Sequence, residues 1–460
     1  MSSTFEVRQT FADDMFLRRH RGLGSPVVNQ FVWRFGTALP TGAVERFAVA
    51  LARGSLGRRA VPAMLPGARG RWYGDPTVPP IAHRERPLAG DGVRGWIDRV
   101  AAVDLDPAAG PAWRLATAPT AAGGTLVSLV VAHAAADGGA MVDAIVRAAS
   151  WSAPLGLPAA SGRTGGARGV QVVARLRDVV PDLRDAVGQG REIAGWVTDR
   201  VVDRARAAVR PADAEVAPAD PVAPTRDLPP DSGDWRPSWV VAELDATAVE
   251  EMAAARGGTV NAWFVALTAG LVRRTGRHTD TDVPVALPVS TRAGDDLRGN
   301  ATRIARVLVT PQQSSRRRLD AVRDSCKAAY AALGEAREPV PLALVQMLPD
   351  AVVRRLPPPP AAAALASNVG ALPDGFATLG GVRAEAVFAV AHQQGLDVAE
   401  AAASGGGLVL FLVRTGDRLA LTVVACDPFA VRDGAVLTDL VSAELATWQA
   451  DGHDLRLRVW

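Results

Sequence analysis

Residues 210–236, RPADAEVAPADPVAPTRDLPPDSGDWR, cannot build a hydrophobic core. The segment is rich in Pro, Asp and Ala and carries few bulky apolar side chains, so it reads as a linker or crossover. It interrupts a chain of 460 residues, which is too long for one ordinary core. On each side of it the apolar pattern switches between short β-branched runs and amphipathic stretches of helical period. Two lobes of similar kind are the simplest architecture, and no short-period repeat is present.

In the first part, residues 26–36 (PVVNQFVWRFG) read as a buried strand, and residues 42–53 as a helix with Val44, Phe47 and Leu51 on one face. Residues 92–103 predict a second helix. Trp113–Thr117 and Thr125–His133 predict two strands joined by the turn-rich PTAAGG. After the linker, Trp239–Leu244 predicts a strand, and Asp245 and Thr259 are suited to cap the next two helices, the second closed by Gly276. Strands follow at Val283–Pro288 and Ile304–Val309, then a helix near Ser315–Ala332, a Pro357–Pro360 turn, a hairpin turning at Thr415-Gly416-Asp417, and a final helix over 434–449.

Residues 168–209 have a different pattern. Leu176, Val180, Leu183 and Val187 mark one amphipathic face, and Ile193, Val197 and Val201 mark another. Pro181, Gly188 and Gly190 argue against one straight helix. The expectation is a helix pair packed on the body of the protein; arginines on its polar face leave a peripheral membrane contact as the alternative.

Composition excludes several function classes. A hydrophobic fraction of 48% and a charged fraction of 22% suit a globular chain. A net charge of +3 is too small to imply nucleic acid. Lys327 is the only lysine, so the basic side chains are almost all arginine, as a GC-rich genome would produce. Cys326 and Cys426 have no C-x-x-C or Cys/His spacing, so neither a disulfide framework nor a structural zinc site is expected. No signal peptide and no apolar run near the roughly 18 residues of a membrane span is visible. The expected location is the cytoplasm, at most peripheral to a membrane. Gly162–Gly169 (GRTGGARG) lacks the Lys-Ser/Thr of a phosphate-binding loop, and no G-x-S-x-G elbow is present. His20, His83, His278, His392 and His453 show no metal-ligand spacing, and His392 reads as a surface or core residue at the end of an apolar strand pattern.

The chemistry concentrates in LVVAHAAADGGAMVDAI, residues 129–145. An apolar strand ends on His133, a small-residue loop follows, and a helix starts after Gly138 with Met141, Ala144, Ile145 and Ala148 on one face. An imidazole at a strand end can reach a cleft and act as a general base near neutral pH. Gly138 lets a substrate approach the backbone, and the helix start offers N–H groups to a developing oxyanion. Asp137 either orients His133 or forms a structural ion pair. The same residues also fit a hydrogen-bonded core histidine beside a turn.

The run AHAAADG resembles the HH-x-x-x-D-G motif of the acyl-thioester-dependent acyltransferase superfamily, which includes chloramphenicol acetyltransferase, peptide-synthetase condensation domains, polyketide-associated acyltransferases and the wax ester synthase/diacylglycerol acyltransferase family. The context is most similar to the last. LDPAAGPAWRLATAPTAAGGTLVSLVVAHAAADG resembles its stretch leading into the motif, TVNAWFVALTAGLVRRTG its Asn-containing helix, VPVALPVSTRAGDDLRGN its strand running to Arg and Gly-Asn, and ASNVGALP its Asn-Val segment. The resemblance implies an α/β fold of two chloramphenicol-acetyltransferase-like lobes with mixed sheets and an active-site tunnel between them. Residues 1–175 would form the first lobe, 176–236 the helical insert and linker, and 237–460 the second lobe.

The implied activity is acyl transfer from acyl-CoA to an alcohol, with no acyl-enzyme and no bound metal or other cofactor; the alternatives are a condensation-type enzyme that forms an ester or amide from carrier-protein-bound acyl groups, and a catalytically degenerate member that only binds lipid or a partner protein. His133 would be the base. Asp137 would pair with Arg292, and Gly138 would keep the tunnel open. Asn300, Asn261, Asn368 and Trp113 would be structural or line the tunnel. The chain departs from the pattern at Ala132, where the motif has its first His, at Pro111-Ala112-Trp113, where the family has Pro-Leu-Trp, and at Gly370-Ala371-Leu372-Pro373, where Asn-Val is usually followed by Pro-Gly-Pro.

Overall fold

The computed structural model describes residues 6–151, 179–207, 233–316, 318–335, 341–356, 362–449 and 458–459. The Gly-rich run 162–169, Leu176, the linker through residue 232, Pro357–Pro360 and His453 lie outside them.

The first of two large sheets has five strands, in the order Ala386–Gln393, Val27–Phe35, Thr125–Ala132, Trp113–Pro119 and Ala82–His83. Its neighbours are antiparallel except the last pair, which is parallel. Its two central strands, Val27–Phe35 and Thr125–Ala132, are almost wholly buried, as their unbroken β-branched and aromatic runs require. The helices Ala43–Arg53, Gly90–Ala101 and Gly138–Ala149 accompany this sheet.

The second sheet has seven strands, in the order Thr302–Val309, Val283–Ser290, Ala364–Ala371, Leu408–Thr415, Arg418–Ala425, Ser238–Asp245 and Arg458–Val459. Ala364–Ala371 runs parallel to both of its neighbours and the other pairs are antiparallel. The most deeply buried helix, Val260–Arg274, is capped by Thr259, whose Oγ1 accepts the Ala262 N–H, and is followed by Gly276 at φ +76°. Asp245 caps the helix before it. The helix expected near Ser315–Ala332 is two helices, Pro311–Arg316 and Leu319–Glu335. The architecture is α/β with mixed sheets.

One strand crosses between the halves of the chain. Ala386–Gln393 comes from the C-terminal part but forms the edge of the first sheet, pairing antiparallel with Val27–Phe35 along its whole length. At its end, His392 Nε2 lies 2.8 Å from Gln30 Oε1, and Gln30 Nε2 donates to Ser128 Oγ and to the Ile97 carbonyl. Burial pushes the His392 imidazole down to about 4. A folded value below the ordinary 6.5 means that the unfolded chain binds the proton more tightly. The stability tied to neutral His392 is therefore complete above pH 6.5 and is lost as the pH falls toward 4. The loss reaches about 3 kcal/mol at most. His392→Gln should flatten that part of the pH dependence of the urea midpoint, and an unchanged slope between these limits contradicts the assignment.

Residues 179–207 correct an expectation. Val179–Ala207 is one helix of 29 residues, not a pair. Pro181 is tolerated because it is third in the helix, where a backbone N–H has no intrahelical partner. A Cβ on Gly188 or Gly190 would meet nothing, so both sit on open surface. The helix also docks the other way round. Its polar side faces the body: Asp182 accepts from Arg8 Nη1 and Arg71 Nη2, both at 2.7 Å, and from the Met64 N–H at 2.6 Å. Asp185 accepts from Arg69 Nη2 and from the Arg69 N–H. The apolar stripe faces away.

Candidate active site

His133 continues the strand Thr125–Ala132 by one residue, its N–H donating to the Val27 carbonyl at 2.9 Å. Ala134, Ala135 and Ala136 then turn inside the protein with no exposed surface. Asp137 ends the turn and caps the helix Gly138–Ala149, accepting the Ala140 N–H at 2.8 Å. Small side chains are needed because a loop from the second half of the chain lies directly on this turn.

That loop, residues 291–301, joins the strands Val283–Ser290 and Thr302–Val309. Asp137 is its main anchor. Oδ1 also accepts from Arg292 Nη2 at 3.0 Å, and Oδ2 accepts the Ala301 N–H at 2.7 Å and the Thr302 hydroxyl at 3.0 Å. The Asp137 N–H donates to the Gly299 carbonyl at 2.9 Å. Arg292 donates in addition to the carbonyls of Asp296 and Arg298. Both members of the pair are nearly closed to solvent. Asn300 reaches under the turn: its Nδ2 donates to the carbonyls of His133 at 2.9 Å and Ala134 at 3.2 Å, and to Asp13 Oδ1 at 2.8 Å. Gly299 has to be glycine here, since a Cβ would stand 2.8 Å from the Ala135 carbonyl oxygen and 3.0 Å from Asp13 Oδ1. Gly299→Ala should therefore push the loop off the turn and lower the denaturant midpoint; an unchanged midpoint contradicts the close approach.

The His133 ring is stacked on Phe16, with centroids 3.9 Å apart and planes 19° from parallel. Its Nδ1 is buried and has no hydrogen-bond partner among the described residues. Burial lowers its pKa; the charge of Asp137 and a contact with Asn300 oppose the shift, and the charge of Arg19 adds to it. The imidazole is thus held in its neutral, basic form at neutral pH.

Phe16, Asp13 and Arg19 belong to a helix, Phe11–His20, absent from the sequence expectations. Asp13 is fully buried. It accepts from Asn300, from Trp72 Nε1 and from the Thr10 N–H, and burial raises its carboxyl pKa. Arg58 stands near it, buried and pushed down to about 10 by desolvation. The pair Thr10 and Asp13 form a capping box, the one local signal that could have revealed this helix.

The remaining candidates fall in three places. Gly138 lies next to the cluster, and a Cβ on it would meet nothing within 4 Å, so space is open there. Asn261 and Asn368 meet each other: Asn368 Nδ2 donates to Asn261 Oδ1 at 3.0 Å, and Asn261 Nδ2 donates to the Tyr330 hydroxyl. They form their own group in the second sheet's lobe. Trp113 is 1% exposed and belongs to the core of the first sheet, so it offers no surface to a tunnel; its large side chain packs on the inward face of its strand. Ala132, where the motif has its first His, is also sealed in that core. Among the described residues no group of three or more His, Cys, Asp or Glu is placed to hold a metal ion.

Comparison with solved structures places this geometry in a known fold. The first condensation domain of the calcium-dependent antibiotic synthetase, in complex with a substrate analogue, is 18% identical, covers the whole of both chains and superposes with a TM-score of 0.58. The fold is that of a condensation domain. Polyketide synthase associated protein 5 from Mycobacterium tuberculosis is similar at 13% identity, over 98% of this chain and 100% of its own, with a TM-score of 0.54. The wax ester synthase/diacylglycerol acyltransferase from Marinobacter aquaeolei VT8 is similar at 14% identity, over 97% and 99% of the two chains, with a TM-score of 0.52. No family model and no curated protein matches the sequence. The condensation-domain fold is therefore shared with proteins whose sequences have diverged almost completely from this one.

Proposed function

We propose that this chain is an acyltransferase that moves an acyl group from a thioester to an alcohol, with His133 as general base. The observation that carries the reading is His133 itself: a neutral imidazole at a strand end, stacked on Phe16 and fixed through its carbonyl by Asn300. The acceptor hydroxyl would give its proton to His133 as its oxygen attacks the thioester carbonyl carbon. The tetrahedral intermediate would then collapse, the C–S bond breaking and the proton passing from His133 to the departing thiolate. Among the described residues the N–H groups of Gly138 and Gly139 have no hydrogen-bond partner, which suits them to the oxygen that becomes negative. Asp137 and Arg292 have a different task, holding the loop 291–301 against the catalytic turn. Donor and acceptor would meet at His133 in a tunnel between the lobes, with water kept from the thioester. The reaction needs no metal or redox group.

A second reading has the donor on a carrier protein rather than on coenzyme A, with an ester or amide as product. Condensation domains and a polyketide synthase associated protein among the similar structures favour it. The two readings separate in one assay. Thiol release is followed from acyl-CoA and from carrier-loaded acyl donors, each with alcohol and amine acceptors. Release from acyl-CoA that needs an alcohol supports the first reading, and release only from the carrier-loaded donor replaces it with the second.

The open space at Gly138 gives a further test. Gly138→Ala should leave thermal stability unchanged, because its Cβ clashes with nothing. It should lower kcat/KM about tenfold or more if that space receives substrate, a cost of about 1.4 kcal/mol. Full activity in this variant would remove Gly138 from the substrate path.

A further inference from the structure

The helix Val179–Ala207 turns Asp182 and Asp185 toward the body and leaves a stripe of apolar side chains exposed. Val180, Leu183, Val187 and Val197 are 44 to 56% exposed and share one face at helical spacing. Exposed Met64 donates its N–H to Asp182 of the helix. Exposed Met347 lies against Gly67, next to Ala186 of the helix. Val352 and Leu356, a few residues after Met347, are exposed as well. Isolated exposed apolar side chains are ordinary; a connected run of them marks an interaction surface.

The charges around the stripe are sorted by sign. Arg184 and Arg191 are exposed, flank it on the helix and make no ion pair with any described residue. Arg354 and Arg355 stand exposed between Val352 and Leu356. The acids Asp182 and Asp185 face inward and are engaged by Arg8, Arg69 and Arg71. The exposed acids Glu192 and Asp199 fall on the side of the helix opposite Leu183. A Cβ at Gly188, Gly190 or Gly195 would meet nothing within 4 Å, so the helix is open to its surroundings at these points. An apolar stripe flanked by unpaired arginines matches lipid acyl chains bordered by phosphate.

We infer that this face docks the protein on an anionic lipid surface. Val180, Leu183, Val187 and Val197 would enter the boundary between headgroups and acyl chains, and the arginines would meet the lipid phosphates. The inference is independent of the proposed reaction.

The full-length protein is sedimented with vesicles of phosphatidylcholine alone and with vesicles containing phosphatidylglycerol. The expected result is binding to the anionic vesicles that weakens as salt is raised. Leu183→Asp with Val187→Asp should abolish binding, and Arg184→Glu with Arg191→Glu should weaken it about tenfold or more. Thermal melting should be unchanged in both variants, because these side chains are exposed. No sedimentation with anionic vesicles overturns the inference, and so does binding that survives both pairs of substitutions. A concentration-dependent dimer in sedimentation velocity that disappears in Leu183→Asp would assign the stripe to a second copy of the chain instead.

Discussion

Asp137→Ala lowers the unfolding free energy by about 3–5 kcal/mol, the cost of removing one partner from a buried ion pair. Four donors lose their acceptor at once: Arg292 Nη2, the N–H groups of Ala140 and Ala301, and the Thr302 hydroxyl. Arg292 keeps the carbonyls of Asp296 and Arg298 but has no counter-charge on Asp137 in a site almost closed to water. The helix Gly138–Ala149 also loses its cap. Asp137→Asn should cost much less, because an amide oxygen still caps the helix and still accepts from the loop. The denaturant midpoint of the two variants checks this, with Ala well below Asn and Asn below wild type. A midpoint unchanged by Asp137→Ala would show that the loop 291–301 is held by something other than this carboxylate.

The local elements were legible wherever a short apolar run or a cap announced itself. Val27–Phe35, Thr125–Ala132 and the helix starting at Gly138 follow from periodicity, and Asp245 and Thr259 cap helices as their side chains suggest. The helix Phe11–His20 was hard to read, because the charged Asp13 and Arg18 are buried beside Leu17 and interrupt the apolar pattern. Its absence from the sequence reading hid Phe16, the residue in closest ring contact with His133. The strand Ala386–Gln393 shows an apolar pattern, but nothing local says that it pairs with Val27–Phe35 at the other end of the chain. Amphipathicity in 179–207 reveals which face is apolar and not which face is buried; the ion pairs of Asp182 and Asp185 decide that. Trp113, a large aromatic beside the strand that leads to His133, is in the core for a related reason: sequence gives its position in the strand, and packing decides whether space remains beside it.

His133→Ala should reduce acyl transfer by about 10²–10⁴-fold or more, the contribution of a positioned general base. The loss should fall on kcat, since the imidazole acts on the proton in flight and not on the acyl chain. Stability should fall only by the packing lost against Phe16. His133 forms no ion pair, its Nδ1 has no partner to lose, and its backbone N–H and carbonyl bonds to Val27 and Asn300 survive the substitution. The wild-type rate should be level at neutral pH and fall in acid as His133 takes up its proton, with a midpoint below the ordinary histidine value because burial disfavours the charge.

The most direct test of the account is acceptor-dependent thiol release by wild type and His133→Ala side by side, with coenzyme A and carrier-protein donors and with both proteins verified as folded at the assay temperature first. The account predicts release by wild type and its loss in the variant. Equal release by a folded His133→Ala protein would contradict general-base catalysis at this residue, and no release by wild type from any donor would contradict the acyltransferase reading itself.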